Sequence, residues 1–122
     1  MNATIIHKSN VTDVLLDNLA TALPGILADT LEAPGGRAAI VKPEQISLGF
    51  VTASPRDVGS DIKIMIFAKE LPSRASREKE MAKKILESIV SLPTKPGDSN
   101  SIDVRLYLMV VGVAEHSLNN PR

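Results

Sequence analysis

Cysteine is absent from the 122-residue chain, which excludes disulfides, thiol nucleophiles and thiolate metal sites together and leaves the cytoplasm as the expected compartment. Tryptophan is absent as well, and one tyrosine and two phenylalanines complete the aromatic inventory. So few rings leave no stacking platform for single-stranded RNA or DNA, and the core has to be assembled from Ile, Val, Leu, Ala and Met. Neither sign of charge is in excess: 14 Lys plus Arg balance 14 Asp plus Glu, so no global field draws the chain to nucleic acid or to an acidic membrane. The longest strongly apolar run, "LYLMVVGVA" at 106–114, is about half of the roughly 18 residues that suggest a membrane span. The opening "MNATIIHKSN" lacks a basic stretch followed by a long apolar one, so no export signal is expected. Metal-ligand spacing, a glycine-rich phosphate loop and a nucleophile elbow are all missing, and no metal or cofactor is expected.

What is present reads as one domain over 1–122, in two halves. "ATIIHK" is a short β-branched strand, and Ser9 or Asn10 after it can cap a helix. From Val11, apolar residues recur at three- and four-residue steps through Val14, Leu15, Ala22, Ile26 and Leu27, predicting a helix to about Leu31. Pro24 removes a backbone donor inside it, so a kink or restart is expected near Leu23, and "APGGR" should end it. "EQISLGFVTA" at 44–53 predicts the second strand, and "SPRDVGSD" a turn. In "DIKIMIFAK" at 61–69, Ile62, Ile64 and Ile66 share one face while Lys63, Met65 and Phe67 share the other. A second helix follows, with Ser73 or Ser76 as its cap, Glu78 and Glu80 early, and Met81, Ala82, Ile85, Ile89 and Val90 as its stripe. "SLPTKPGDSNS" supplies a flexible loop, and "IDVRLYLMVVGVA" is apolar enough to predict a central strand covered on both faces.

The pattern is strand, helix, strand written twice, over 1–53 and 61–116. Each unit predicts a parallel crossover, and two of them make an α+β fold: a four-stranded mixed sheet with both helices on one face. The other face carries Met65, Phe67 and part of the last strand, and self-association is the simplest cover for it. The order βαββαβ belongs to at least two architectures. Ferredoxin-like modules share it, but their RNA readers need exposed aromatics and their metal carriers usually need Cys pairs. A bare regulatory module of that kind remains as an alternative.

The second architecture is the tautomerase superfamily. "IKIMIFAKELPSRASREKEMAKKILESI" followed by "SIDVRLYLMVVGVAEHS" resembles 5-carboxymethyl-2-hydroxymuconate isomerase and the short subunits of 4-oxalocrotonate tautomerase: strand, polar turn with arginine, amphipathic helix, loop, and a strand with arginine near its start. The topological resemblance covers the whole chain, and the residue-level one about 61–116. It implies a cofactor-independent keto-enol isomerase, built as a homotrimer, that takes a small carboxylate-containing molecule into a pocket between β-α-β units. By position it implies that Arg74 and Arg105 hold substrate. A guanidinium at a helix mouth joins its charge to unsatisfied backbone donors, and its planar fork suits a carboxylate. Arg77 at the same mouth and Lys69 at the end of strand three are further anion-binding candidates; the bland reading of each is a solvated side chain, or one paired with a neighbour such as Glu78.

One residue departs from the resemblance. The family's catalyst is an amino-terminal proline whose desolvated secondary amine acts as a general base, and here the second residue is Asn2. If Met1 is removed, Asn2 presents a primary α-amine, a group that ordinarily titrates not far above neutrality. If Met1 stays, the Asn2 nitrogen is a peptide amide and takes no proton. Asparagine is large for a residue exposed by methionine removal, so Met1 is expected to remain and proline-type activity to be weak or absent. Met1 and Asn2 are thus the residues at the catalytic position. His7 and His116 are the only histidines, and a lone surface histidine is the commoner outcome for each. The alternative function is a noncatalytic oligomeric binding or assembly module of this or the ferredoxin-like fold.

Overall fold

The computed structural model describes residues 1–31, 42–94 and 99–118. The sheet contains β1 (Asn2–His7), β2 (Ser47–Thr52), β3 (Ile62–Lys69) and β4 (Ile102–Met109) in the order β2-β1-β3-β4. β1 runs parallel to β2 and antiparallel to β3, and β3 runs parallel to β4, so two parallel crossover units meet at an antiparallel centre. The helices are α1 (Asp13–Leu31), the short α2 (Pro72–Ala75) and α3 (Glu78–Val90). This is the predicted α+β arrangement, with α1 and α3 packed on one face around a core of Ala3, Ile5, Ile62, Ile64, Ile66, Leu19, Leu23, Met81 and Ile85.

Period-two burial makes β3 the clearest strand: Ile62, Ile64, Ile66 and Ala68 are buried and Lys63, Met65 and Phe67 half-exposed. α1 is held by a ladder of Leu15, Leu19, Leu23, Leu27 and Leu31, every rung buried. Full burial of one such side chain is worth about 2 kcal/mol. The ladder therefore outweighs the roughly 3 kcal/mol by which Pro24 weakens a helix interior, and α1 runs through Pro24 as one element rather than restarting near Leu23. Its first turn is capped by the Thr12 hydroxyl, which accepts the Leu15 N–H at 3.4 Å, and not by Ser9 or Asn10. Among the described helices α1 also has the length and composition to cross a membrane, 19 residues with a hydropathy of 1.3. A search for uninterrupted apolar runs overlooks it because Asp17, Asn18 and Asp29 punctuate its outer side.

Three other expectations are corrected. β4 is an edge strand that stops at Met109, and none of its residues is fully buried. The central positions belong to β1 and β3, because the antiparallel join between the units is made there. Arg77 occupies the N-cap position of α3 without a side-chain cap bond; Ser73 lies inside α2, and Ser76 closes α2. Val90 is 65% exposed, so the α3 stripe is Met81, Ile85 and Ile89. The "APGGR" turn and part of the 91–101 loop lie outside the described residues.

Candidate functional site

The amino terminus is held by the sheet. Asn2 stands opposite Ser47 of β2 on one side and Phe67 of β3 on the other, and the Met1 carbonyl accepts the Ser47 N–H at 3.2 Å. Met1 is half-buried and packs against the core. Beside it opens a cleft of about 620 Å³, walled by Phe67, Ala68, Met109, Val111 and Val113, with Met1, Asn2 and Lys69 completing the lining. The walls come from the ends of β3 and β4 and from the segment that follows β4. Such an opening combines an apolar surround, an amide side chain and one ammonium group from Lys69, a combination that suits a small molecule with an anionic end.

Of the residues singled out in the sequence, Met1, Asn2 and Lys69 are brought together in this cleft. The three arginines do not line it. Arg74 is 2% exposed: its Nε donates to the Leu31 carbonyl at 3.0 Å and its Nη1 to the Lys69 carbonyl at 2.9 Å. Leu31 is the last residue of α1, so this cation sits where the helix dipole is negative. Burial pushes the guanidinium below its ordinary titration range, and among the described residues no carboxylate pairs with it. Arg74 thus clamps the end of α1 to the end of β3, directly behind Lys69. Arg105 lies on the helix-free face opposite Met65, with its Nε donating to both Asp103 carboxylate oxygens at 3.3 Å. Arg77 is partly exposed, its Nε 3.9 Å from a Glu80 oxygen.

The histidines stay outside the cleft lining: His7 lies at the other end of β1, its Nδ1 3.2 Å from the Lys8 carbonyl, and His116 is exposed. Sequence reasoning missed the walls. Phe67, like Met65, is an apolar residue out of phase with the buried isoleucines of β3, and Val111 and Val113 alternate beyond β4. Both signals are visible in the sequence once an end-of-sheet cleft is sought. No group of three or more His, Cys, Asp or Glu residues able to hold a metal is found among the described residues.

No family model and no curated protein matches the sequence. Solved structures do match in fold over nearly the whole chain. Malonate semialdehyde decarboxylase inhibited by 3-bromopropiolate superposes with a TM-score of 0.66 at 11% identity, covering 98% of this chain and 92% of that one. A native fused 4-OT gives a TM-score of 0.55 at 10% identity, covering 96% and 95%. The macrophage migration inhibitory factor of Toxoplasma gondii gives 0.52 at 17% identity, covering 90% of each chain. These neighbours are tautomerase superfamily proteins, and the fold of this chain is theirs.

Proposed function

We propose that the protein is a tautomerase- or isomerase-like protein that binds or converts a small keto or enol acid in the Met1 and Asn2 cleft, as a cytoplasmic homotrimer. The observation that carries this reading is the location of the chain's first residue, anchored between β2 and β3 at the rim of an apolar-walled cleft that also contains Lys69. With Met1 retained, the only amine on the first residue is its own α-amine. A base there could move a proton at a carbon next to a carbonyl, while the Lys69 ammonium attracts the acid's carboxylate. The Asn2 nitrogen is a peptide amide and contributes no base, so turnover by the proline route is weak or absent. Arg105, on the helix-free face, would exchange its Asp103 partner for the acid bound in a cleft on a neighbouring subunit; Arg77 is a second such candidate, and Arg74 serves from behind. The trimer is favoured by related folds: solved structures of fused 4-OT include symmetric and asymmetric trimers.

Ketonisation of phenylpyruvate and of 2-hydroxymuconate tests the proposal. The native chain is expected to be slow. A folded Asn2→Pro variant from which Met1 has been removed is expected to gain about 100-fold, the lower end of what a positioned base supplies. Lys69→Ala in that background should raise KM about threefold to tenfold, the scale of a partly exposed charge contact. No gain in the folded proline variant would count against the enzyme reading.

A second reading, a noncatalytic oligomeric binding or assembly module, is favoured by one observation: the Arg74 and Arg105 side chains are already engaged, with backbone carbonyls and with Asp103. Under it, Arg105→Ala leaves function unchanged while substitutions on the helix-free faces of β3 and β4 disrupt assembly.

A further inference from the structure

At the end of the sheet opposite Met1, the turn 54–60 folds beside the ends of β1 and β3. Asp57 builds this turn, its carboxylate accepting the Ser54 N–H at 3.0 Å and its own N–H donating to the Ser54 carbonyl at 2.9 Å. Gly59 has a φ of +136°, a backbone conformation that glycine alone adopts without strain. The result is a cleft of about 270 Å³ lined by Lys8, Lys63, Ser60, Asp57, Ile6 and Val58 among others.

The charges in this cleft are unevenly satisfied. Lys63 stands opposite Asp103 in the β3–β4 register, yet no ion pair joins them, and the Asp103 carboxylate accepts from Arg105. The Lys63 ammonium leans toward the turn instead, 3.6 Å from where a side chain on Gly59 would begin. Neither Lys63 nor the Ser60 hydroxyl has a hydrogen-bond or ion-pair partner among the described residues. Lys8 is 3.6 Å from Asp61, whose carboxylate is also bonded to the Ser101 N–H and held below its ordinary range chiefly by that bond. Of the cleft's own lining, Asp57 is the one acid, and one of its oxygens is committed to the turn. The unpaired Lys63 ammonium and a free hydroxyl therefore face a space the size of a small ligand, with Lys8, shared with Asp61, beside them and one partly committed carboxylate, Asp57, in the lining.

We propose that this cleft binds a small oxyanion, a phosphate or a carboxylate group, held by Lys63 and Ser60 with Lys8 adding its charge. The site is at the opposite end of β1 and β3 from the Met1 cleft and stands independently of the function proposed there. A bound oxyanion would accept from the Lys63 ammonium and the Ser60 hydroxyl, the charge-assisted geometry that makes such bonds short and strong.

Amide chemical shifts of the full chain, in an amine buffer at constant ionic strength, test this against inorganic phosphate, acetate and chloride. Saturable shifts at Gly59, Ser60 and Lys63, with a Kd on the order of millimolar, are expected for at least one oxyanion. Saturation by phosphate alone assigns a phosphate group, by acetate alone a carboxylate, and by both any small oxyanion. Lys63→Met should weaken binding about fivefold, as loss of one exposed charge contact does; Lys63→Gln is the second variant should the first fail to fold. Lys83→Met, on the exposed side of α3, should leave the affinity unchanged. Linear shifts that chloride reproduces, or a loss under about threefold in both folded Lys63 variants, overturn the proposal.

Discussion

Arg74 is the residue at which local sequence and tertiary structure pull hardest against each other. In the sequence it stands in a polar turn ahead of an acidic helix start, where a guanidinium is usually solvated. In the structure it is buried and spends two donors on the carbonyls of Leu31 and Lys69. Hydrogen bonds from a charged donor are worth about 1.5–3 kcal/mol each, and removing the donor leaves both carbonyls without this partner. Arg74→Met is therefore expected to lower stability by about 2–4 kcal/mol, read as a shift of the urea midpoint with an unchanged slope. Arg74→Lys should recover only part of that loss, because a single ammonium does not reproduce the fork that spans two carbonyls. A midpoint unchanged by either substitution would mean that the clamp contributes nothing.

α1 shows how an element survives a residue that opposes it. Pro24 has no N–H to donate to the preceding turn, but it is flanked by Leu23 and Leu27, both without measurable exposure. Packing, rather than propensity, holds the helix, as is usual for helices of this length in proteins. Pro24→Ala restores the missing bond without changing the leucine ladder, and is expected to stabilise the protein by about 1–3 kcal/mol. Calorimetry reads it as a rise in Tm; a fall would show that the proline ring itself fills space in the core. α3 offers the contrast of a helix whose charged outer side and buried Met81, Ile85 and Ile89 agree with its local pattern up to the exposed Val90 at its last turn.

For the molecule as a whole, the helix-free face of the sheet is the unfinished part. Phe67 and Tyr107 stack there with ring centroids 5.1 Å apart and planes inclined by 14°, beside Met65, with Ile6 in the row beyond. Tyr107 and Met109 are each 38% exposed, and Val111, in the segment that follows them, is 46% exposed. A homotrimer that covers this face would lose its seam to a charge placed at its centre. Tyr107→Lys is expected to reduce the mass measured by light scattering to that of one chain while the far-UV spectrum keeps its native shape. A native chain that is already monomeric at tens of micromolar would remove the trimer from the proposal, as well as the route by which a neighbour's Arg105 reaches the cleft.

The elements and their order were legible because burial periodicity is a local property: alternating isoleucines make β3 a strand, and four-residue leucine spacing makes α1 a helix. That residue 2 is asparagine is read directly as well, since identity at a position needs no structure. The position of β4 was not, because an apolar run fits an edge strand followed by cleft walls as readily as a buried centre, and only strand pairing distinguishes them. The roles of the arginines were not legible either. Whether a guanidinium meets solvent, a carboxylate or a carbonyl depends on what other segments bring to it. For Arg74 that partner lies 43 residues away at the end of α1, and Lys63 leans toward the turn around Gly59 instead of pairing with Asp103 across the sheet. The sequence by itself determined the apolar faces of α1 and β3, because burial periodicity is local; the tertiary structure decided that β4 lies at an edge, that Arg74 is inside and which charges face the clefts, because strand pairing and charge are satisfied through space and not along the chain.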